Sequence, residues 1–342
     1  MPDDGAALRR QAKMAPVLIV AAPDKFRGTA TAGEVAGAIA RAAEAAGHRC
    51  DQAPMADGGE GTLDALGGPN RSTTVTGPLG DPVEAVWRFD RAGAVIEMAR
   101  ASGLELVGGA GGNDAVAAST AGTGELISVA IESGARRVLI GVGGSATTDG
   151  GLGALRALYP LQRLKAVELV VACDVRTRFV DAAEVFAPQK GATPSQVRLL
   201  RGRLERLADV YLHDHGIDVR DIEGSGSAGG LAGGLAAVGA RLESGFDVVA
   251  DEVELFDRLE HADLVITGEG FIDAQSFDGK VVGGVAAMAA DLGIPVLAVA
   301  GRCFDGSDAL IDAVSLVDRF GEQQAMTDTL ACIEAVVAER LA

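Results

Sequence analysis

The residues best suited to chemistry sit in short glycine-rich turns at the ends of apolar runs. Asp24, Lys25 and Arg27 follow the run 17–22 and precede Gly28, and Asp57 and Glu60 lie in Ala56-Asp57-Gly58-Gly59-Glu60-Gly61-Thr62. Gly143, Gly144, Ser145, Thr147 and Asp149 belong to the stretch 141–151, which follows Val138-Leu139-Ile140. Asp174 ends the apolar run 168–173, Lys190 lies in Pro188-Gln189-Lys190-Gly191, and Gly268-Glu269-Gly270 opens a segment that also holds Asp273 and Lys280. Glycines let backbone N–H groups converge on one point, and a helix N-terminus adds donors and partial positive charge, so such turns suit a phosphate or carboxylate. The plain alternative for each is an ordinary βα turn whose Ser, Thr or Asp caps a helix. Several carboxylates beside phosphate-cradling turns are ill suited to gripping an anion unaided. They make sense if Mg²⁺ bridges them to a nucleotide, with Asp149, Glu269 and Asp273 as candidate ligands.

The chain contains no G-x-x-x-x-G-K-[ST] pattern, which excludes a P-loop. Gly224-Ser225-Gly226-Ser227-Ala228-Gly229 matches G-x-G-x-x-G in form, but the polar segment 219–223 before it is no buried strand, which argues against a dinucleotide fingerprint. None of the four histidines lies in a glycine motif, so a histidine base is not expected. Of 30 basic residues only five are lysine, and Lys25, Lys190 and Lys280 lie in or near these turns, where a compact ammonium serves a transferring phosphate.

The elements that must position these groups alternate. Apolar runs opening near 17, 138, 169, 264, 295 and 313 read as buried strands, most of them separated by helix-length segments, which is the pattern of a doubly wound parallel sheet of flavodoxin or Rossmann type. In such a sheet, ligands bind at the carboxyl ends of the strands. Thr31 or Thr29 reads as the N-cap of an Ala-rich helix, with Glu34, three residues past Thr31, as a capping-box partner. Residues 72–98 alternate with period two around Gly77-Pro78-Leu79-Gly80 and read as an antiparallel meander inside a second, inserted α/β domain. The expected division is a disordered tail at 1–15 with Met14 as functional start, a flavodoxin-like domain at 16–66, 119–174 and 260–342, and a second α/β domain at 67–118 and 175–259.

At 342 residues two domains are the default. The chain is 48% hydrophobic but only 4% aromatic, so its cores must be built from Ala, Val, Leu and Ile. A net charge of −18 disfavours nucleic acid and anionic membranes as partners. The four cysteines are scattered and no run reaches membrane-span length, which fits a reduced cytoplasm. Nothing in the pattern excludes a homo-oligomer.

Seven ordered motifs carry a resemblance. They are 22–28, 56–62, 76–80, 97–104, 143–151, 188–192 and the Thr267-Gly268-Glu269-Gly270 to Lys280 segment. Together they resemble the bacterial glycerate kinase family over nearly the whole length from Val17. The resemblance implies ATP-dependent phosphorylation of D-glycerate, usually to 2-phosphoglycerate, on two α/β domains, one flavodoxin-like and one likened to a restriction-enzyme fold, with the site between them. On that reading Asp57, Asp174, Lys190 and Lys280 are catalytic, Asp24, Lys25, Arg27 and Glu60 bind glycerate, and Gly143, Gly144, Ser145, Thr147, Gly268, Glu269 and Gly270 bind ATP with Mg²⁺. Lys25 stands where the family usually has Ser, Arg27 where it has Lys, Phe271 where it often has Arg, and Arg176-Thr177-Arg178-Phe179 where it has Asn-Pro-Leu. A segment expected between Tyr159 and Val167 is absent. These departures leave open a kinase for another small hydroxy acid and a ligand-binding paralogue without turnover.

Overall fold

A computed structural model describes residues 16–277, 279–304 and 311–342; the expected tail at 1–15 lies outside them. Its strands are β1 (Leu18–Ala21), β2 (Arg49–Gln52), β3 (Arg71–Thr76), β4 (Pro82–Phe89), β5 (Ala94–Glu97), β6 (Arg137–Gly141), β7 (Glu168–Cys173), β8 (Arg241–Ser244), β9 (Leu264–Ile272), β10 (Val296–Cys303) and β11 (Asp312–Ser315). They form two helix-flanked sheets. One is entirely parallel with the order β2-β1-β9-β10-β11, the flavodoxin-like arrangement, whose topological switch point lies between β1 and β9. The other runs β3-β4-β5-β6-β7-β8; its first three strands form the expected antiparallel meander and β5 to β8 pair in parallel.

The α/β class is as expected, but the assignment of 119–174 to the first sheet is corrected. That segment supplies β6 and β7 to the second sheet, which is one uninterrupted run from β3 to β8. The reason is pairing. β6 and β7 are apolar strands buried on both faces, like β1 and β9, and periodicity does not distinguish one such strand from another. Their partner is fixed by β5, whose free edge aligns Ala94 with Val138 and Glu97 with Gly141.

Small aliphatic residues build the cores. The helix Ala32–Ala45, closed by the predicted capping box (Glu34 N to Thr31 Oγ1 3.2 Å, Thr31 N to Glu34 Oε2 2.8 Å), packs Val35 and Ile39 with Ile333 and Val336 of the helix Thr329–Arg340 on one face of the first sheet. The helix Gly245–Glu252 lies between the sheets: Phe246 and Val249 pack with Val20 and Val265 of the first, and Val248 with Leu139, Val170 and Ala172 of the second. Trp87 and Phe179 are buried in the larger core of the second sheet.

Candidate active site

The carboxyl ends of β1 and β9 meet those of β6 and β7 across a cleft between the two sheets. A cavity of about 920 Å³ opens there, lined among others by Arg27, Glu60, Gly143, Ser145, Asp174 and Lys190. Asp24 follows β1 and is tied to β9 by its backbone N–H, which donates to Gly268 O at 2.8 Å. Lys25 Nζ is 3.7 Å from Asp24 Oδ1. Burial pushes the Asp24 carboxyl up to about 7 against the opposing pull of Lys25, with Asp57 and Glu269 adding repulsion. Glu269 is raised for the same first reason, with Ser276 and Lys280 opposing and Asp57 and Asp273 adding to the rise. Asp174, from the second sheet, is raised by burial and by Asp57, and held back by Lys280 and Lys25. Carboxylates and lysines from four loops therefore act on one another electrostatically across the cleft.

The glycine turns serve a purpose that spacing did not reveal. A Cβ on Gly143 would lie 2.8 Å from Gly59 Cα, and one on Gly268 would strike the Val299 carbonyl of β10. These positions need glycine because two loops, or two strands, touch there. In the 141–151 stretch the helix Leu152–Ala157 does present its N-terminus, but the chain fills it. Asp149 accepts hydrogen bonds from Gly151 N and Gly153 N, both at 3.1 Å, and from Thr120 N at 2.9 Å and Thr120 Oγ1 at 2.8 Å. Asp149, a metal-ligand candidate from sequence, is thus held as a buttress whose oxygens take four donors. Thr147 lies behind the cleft wall, fully buried, and its carbonyl accepts from Lys190 Nζ at 2.6 Å. Lys190 Nζ also lies 2.8 Å from Ser145 Oγ, and burial lowers its amine to about 7.

One residue on the cleft wall was missed. Glu97, 3% exposed, ends β5 and accepts from Gly61 N and Leu63 N at 2.9 Å each and from Arg100 Nε at 3.0 Å. It therefore holds the turn that carries Glu60. The signal was present in the Glu97-Met98-Ala99-Arg100 motif, but a lone acid at a strand end reads as surface. Among the described residues no group of three or more His, Cys, Asp or Glu side chains could hold a metal by itself, and no helix is long and apolar enough to cross a membrane.

The sequence profile of the glycerate kinase family matches residues 19–159 and 160–341. The chain belongs to the glycerate kinase family. A protein of Haemophilus influenzae named glycerate kinase is 40% identical over 333 residues, covering 86% of this chain and 88% of its own. The glycerate 2-kinase of Escherichia coli is 39% identical over 343 residues, covering 89% and 88%. A crystal structure from Salmonella typhimurium LT2, provisionally assigned as a glycerate kinase 2, superposes with a TM-score of 0.81 at 35% identity over 95% of this chain and 98% of that one. Membership of the glycerate kinase family makes the protein an enzyme of the kinase class. The departures from the family pattern find structural places. Phe179, in the rewritten 176–179 segment, is fully buried beside Gly150, Gly230 and Gly233, so it is a core residue. Phe271 is exposed and stacks against Phe304 with ring centroids 6.0 Å apart.

Proposed function

We propose that the protein phosphorylates D-glycerate at the expense of ATP, giving 2-phosphoglycerate, in the cleft between its two sheets. The observation that carries the reading is the convergence of Asp24, Asp57, Glu269 and Asp174 with Lys25 and Lys280, from both sides of the cleft, in a chain of this family. A cluster of mutually repelling, partly desolvated carboxylates calls for a cation. Glu269 Oε1 is buried without a hydrogen-bond partner, as a metal-facing oxygen would be. Mg²⁺ takes one or two carboxylates and completes its shell with phosphate and water. Glu269 and Asp273 would hold it, and when bound it would neutralise charge on the phosphates.

The chain's own groups supply the rest. Lys25 and Lys280 offset negative charge near the transferring group, and Asp174 or Asp57 accepts a hydrogen bond from the acceptor hydroxyl and orients it. The raised proton affinity of Asp174 suits it to take the hydroxyl proton. Arg27 and Glu60 line the mouth, and approach of the two sheets would exclude water and limit ATP hydrolysis. A coupled assay of ADP release with D-glycerate and Mg·ATP, with the product resolved by NMR, tests the proposal. Turnover only with another hydroxy acid, or none at all, would replace it. Asp174→Asn is expected to lower kcat by roughly 10²–10⁴-fold.

A further inference from the structure

Lys190 is 3% exposed, and among the described residues no carboxylate lies within ion-pair distance of it. Lysine is almost never buried without a partner, because stripping water from an ammonium is expensive. Two of its donor positions are directed at Thr147 O and Ser145 Oγ, and the Phe186 ring lies 6.0 Å away. Among the described residues the third position has no protein acceptor. Ser227 lines the same cleft, and its buried hydroxyl meets only the weak acceptor of the Cys173 thiol. An incompletely solvated amine and an unsatisfied hydroxyl line one cleft together with Gly143 and Gly144, and mark a site built for something the chain does not itself provide.

The geometry points to an anion socket built on Ser145 and Lys190, in the cleft that Ser227 also lines, which receives a carboxylate or phosphoryl oxygen. The inference rests on the reading of the cleft as the site of a glycerate kinase and assigns one of its anions a seat. Without a ligand the amine is largely neutral near pH 8, because burial holds its proton affinity down to about 7. An anion in hydrogen-bond contact restores the charged form. Asp149, behind the loop, is the one carboxylate whose charge favours the ammonium, and it is screened by its own donors. The other charged groups on the cleft walls are Arg27, Glu60, Glu84, Glu97, Arg100, Glu105 and Asp174. Glu97 and Arg100 already pair with each other. The oxygen can come from the carboxylate of the hydroxy acid or from a nucleotide phosphate, and the experiment separates these sources.

The test is calorimetric titration at pH 8 in buffers of differing ionisation enthalpy, with D-glycerate without metal in one arm and Mg·ADP in the other. Uptake of roughly one proton per ligand is expected in one arm, and that arm names the source. Lys190→Met is expected to fold, since it removes a buried amine with an incomplete shell. It should abolish the uptake and weaken that ligand by at least about tenfold. Lys190→Arg, permanently charged, should bind with no uptake. Turnover of glycerate by the wild type without proton uptake in either arm overturns the socket and leaves the proposed function standing. Failure of both ligands to bind overturns both.

Discussion

Replacing Asp149 with alanine separates a buttress from a metal ligand. In the structure three backbone N–H groups, of Thr120, Gly151 and Gly153, and the Thr120 hydroxyl all donate to this one carboxylate, and Thr120 Oγ1 in turn accepts from Ala154 N at 3.0 Å. A net hydrogen bond to a charged group is worth about 1.5–3 kcal/mol, and a buried donor left without an acceptor costs about 1–3 kcal/mol. The four bonds share one acceptor and do not add, and Asp149 borders an open surface pocket with Val116 and Arg203 where water can replace part of what is lost. A total loss of about 2–4 kcal/mol follows, or roughly 5–15 °C in Tm for a domain of this size. Urea denaturation followed by the fluorescence of Trp87, the single tryptophan and a member of the same core, reads the loss directly. The Mg²⁺ dependence of turnover, measured on the folded variant, should be unchanged. A variant within about 0.5 kcal/mol of wild type that needs at least tenfold more Mg²⁺ would refute the assignment and restore Asp149 as a ligand.

Glu97→Gln should cost about 1–3 kcal/mol in urea denaturation, because a charged acceptor of two backbone N–H groups and of Arg100 is lost. It should also lower kcat/KM through the displaced Glu60 turn. Gly245→Ala places a methyl against the Asp57 carbonyl at the foot of the 56–62 loop; a loss of about 1–3 kcal/mol, with kcat reduced more than KM is raised, is expected from denaturation and steady-state kinetics. Asp24 keeps its proton up to about 7 when folded but releases it near its ordinary 3.8 when unfolded, so stability falls as pH rises between those values. Asp24→Asn removes that penalty, and its stability relative to wild type should be greater at pH 8 than at pH 5; the opposite ordering would refute the burial argument.

Local chemistry was legible in the sequence wherever one segment sufficed to specify it. Thr31 and Glu34 cap their helix as read and the 72–98 meander is antiparallel, but Gly268-Glu269-Gly270, which reads as a turn, continues β9 to Ile272 and pairs with β10. What one segment could not show was partnership between segments. β6 and β7 look like first-sheet strands until β5 offers them an edge. Gly143 and Gly268 also need to be glycine because neighbouring backbone presses against them, which the sequence alone does not show. Asp149 looks like a ligand until Thr120, 29 residues away, is found donating to it. Lys190 was noticed as a rare lysine beside a glycine, but its burial without a carboxylate depends on three loops meeting.

The uninterrupted run of the second sheet also sets an order of assembly. More than two hundred residues separate β2 from β9, the strand that must pair with the other edge of β1. During synthesis the inserted half has all six of its strands available before β9 emerges, while β1 and β2 wait with an open, apolar edge. That waiting edge is the segment a ribosome-associated chaperone would shield, and a truncation ending near residue 260 should yield a folded second half bearing an aggregation-prone N-terminus.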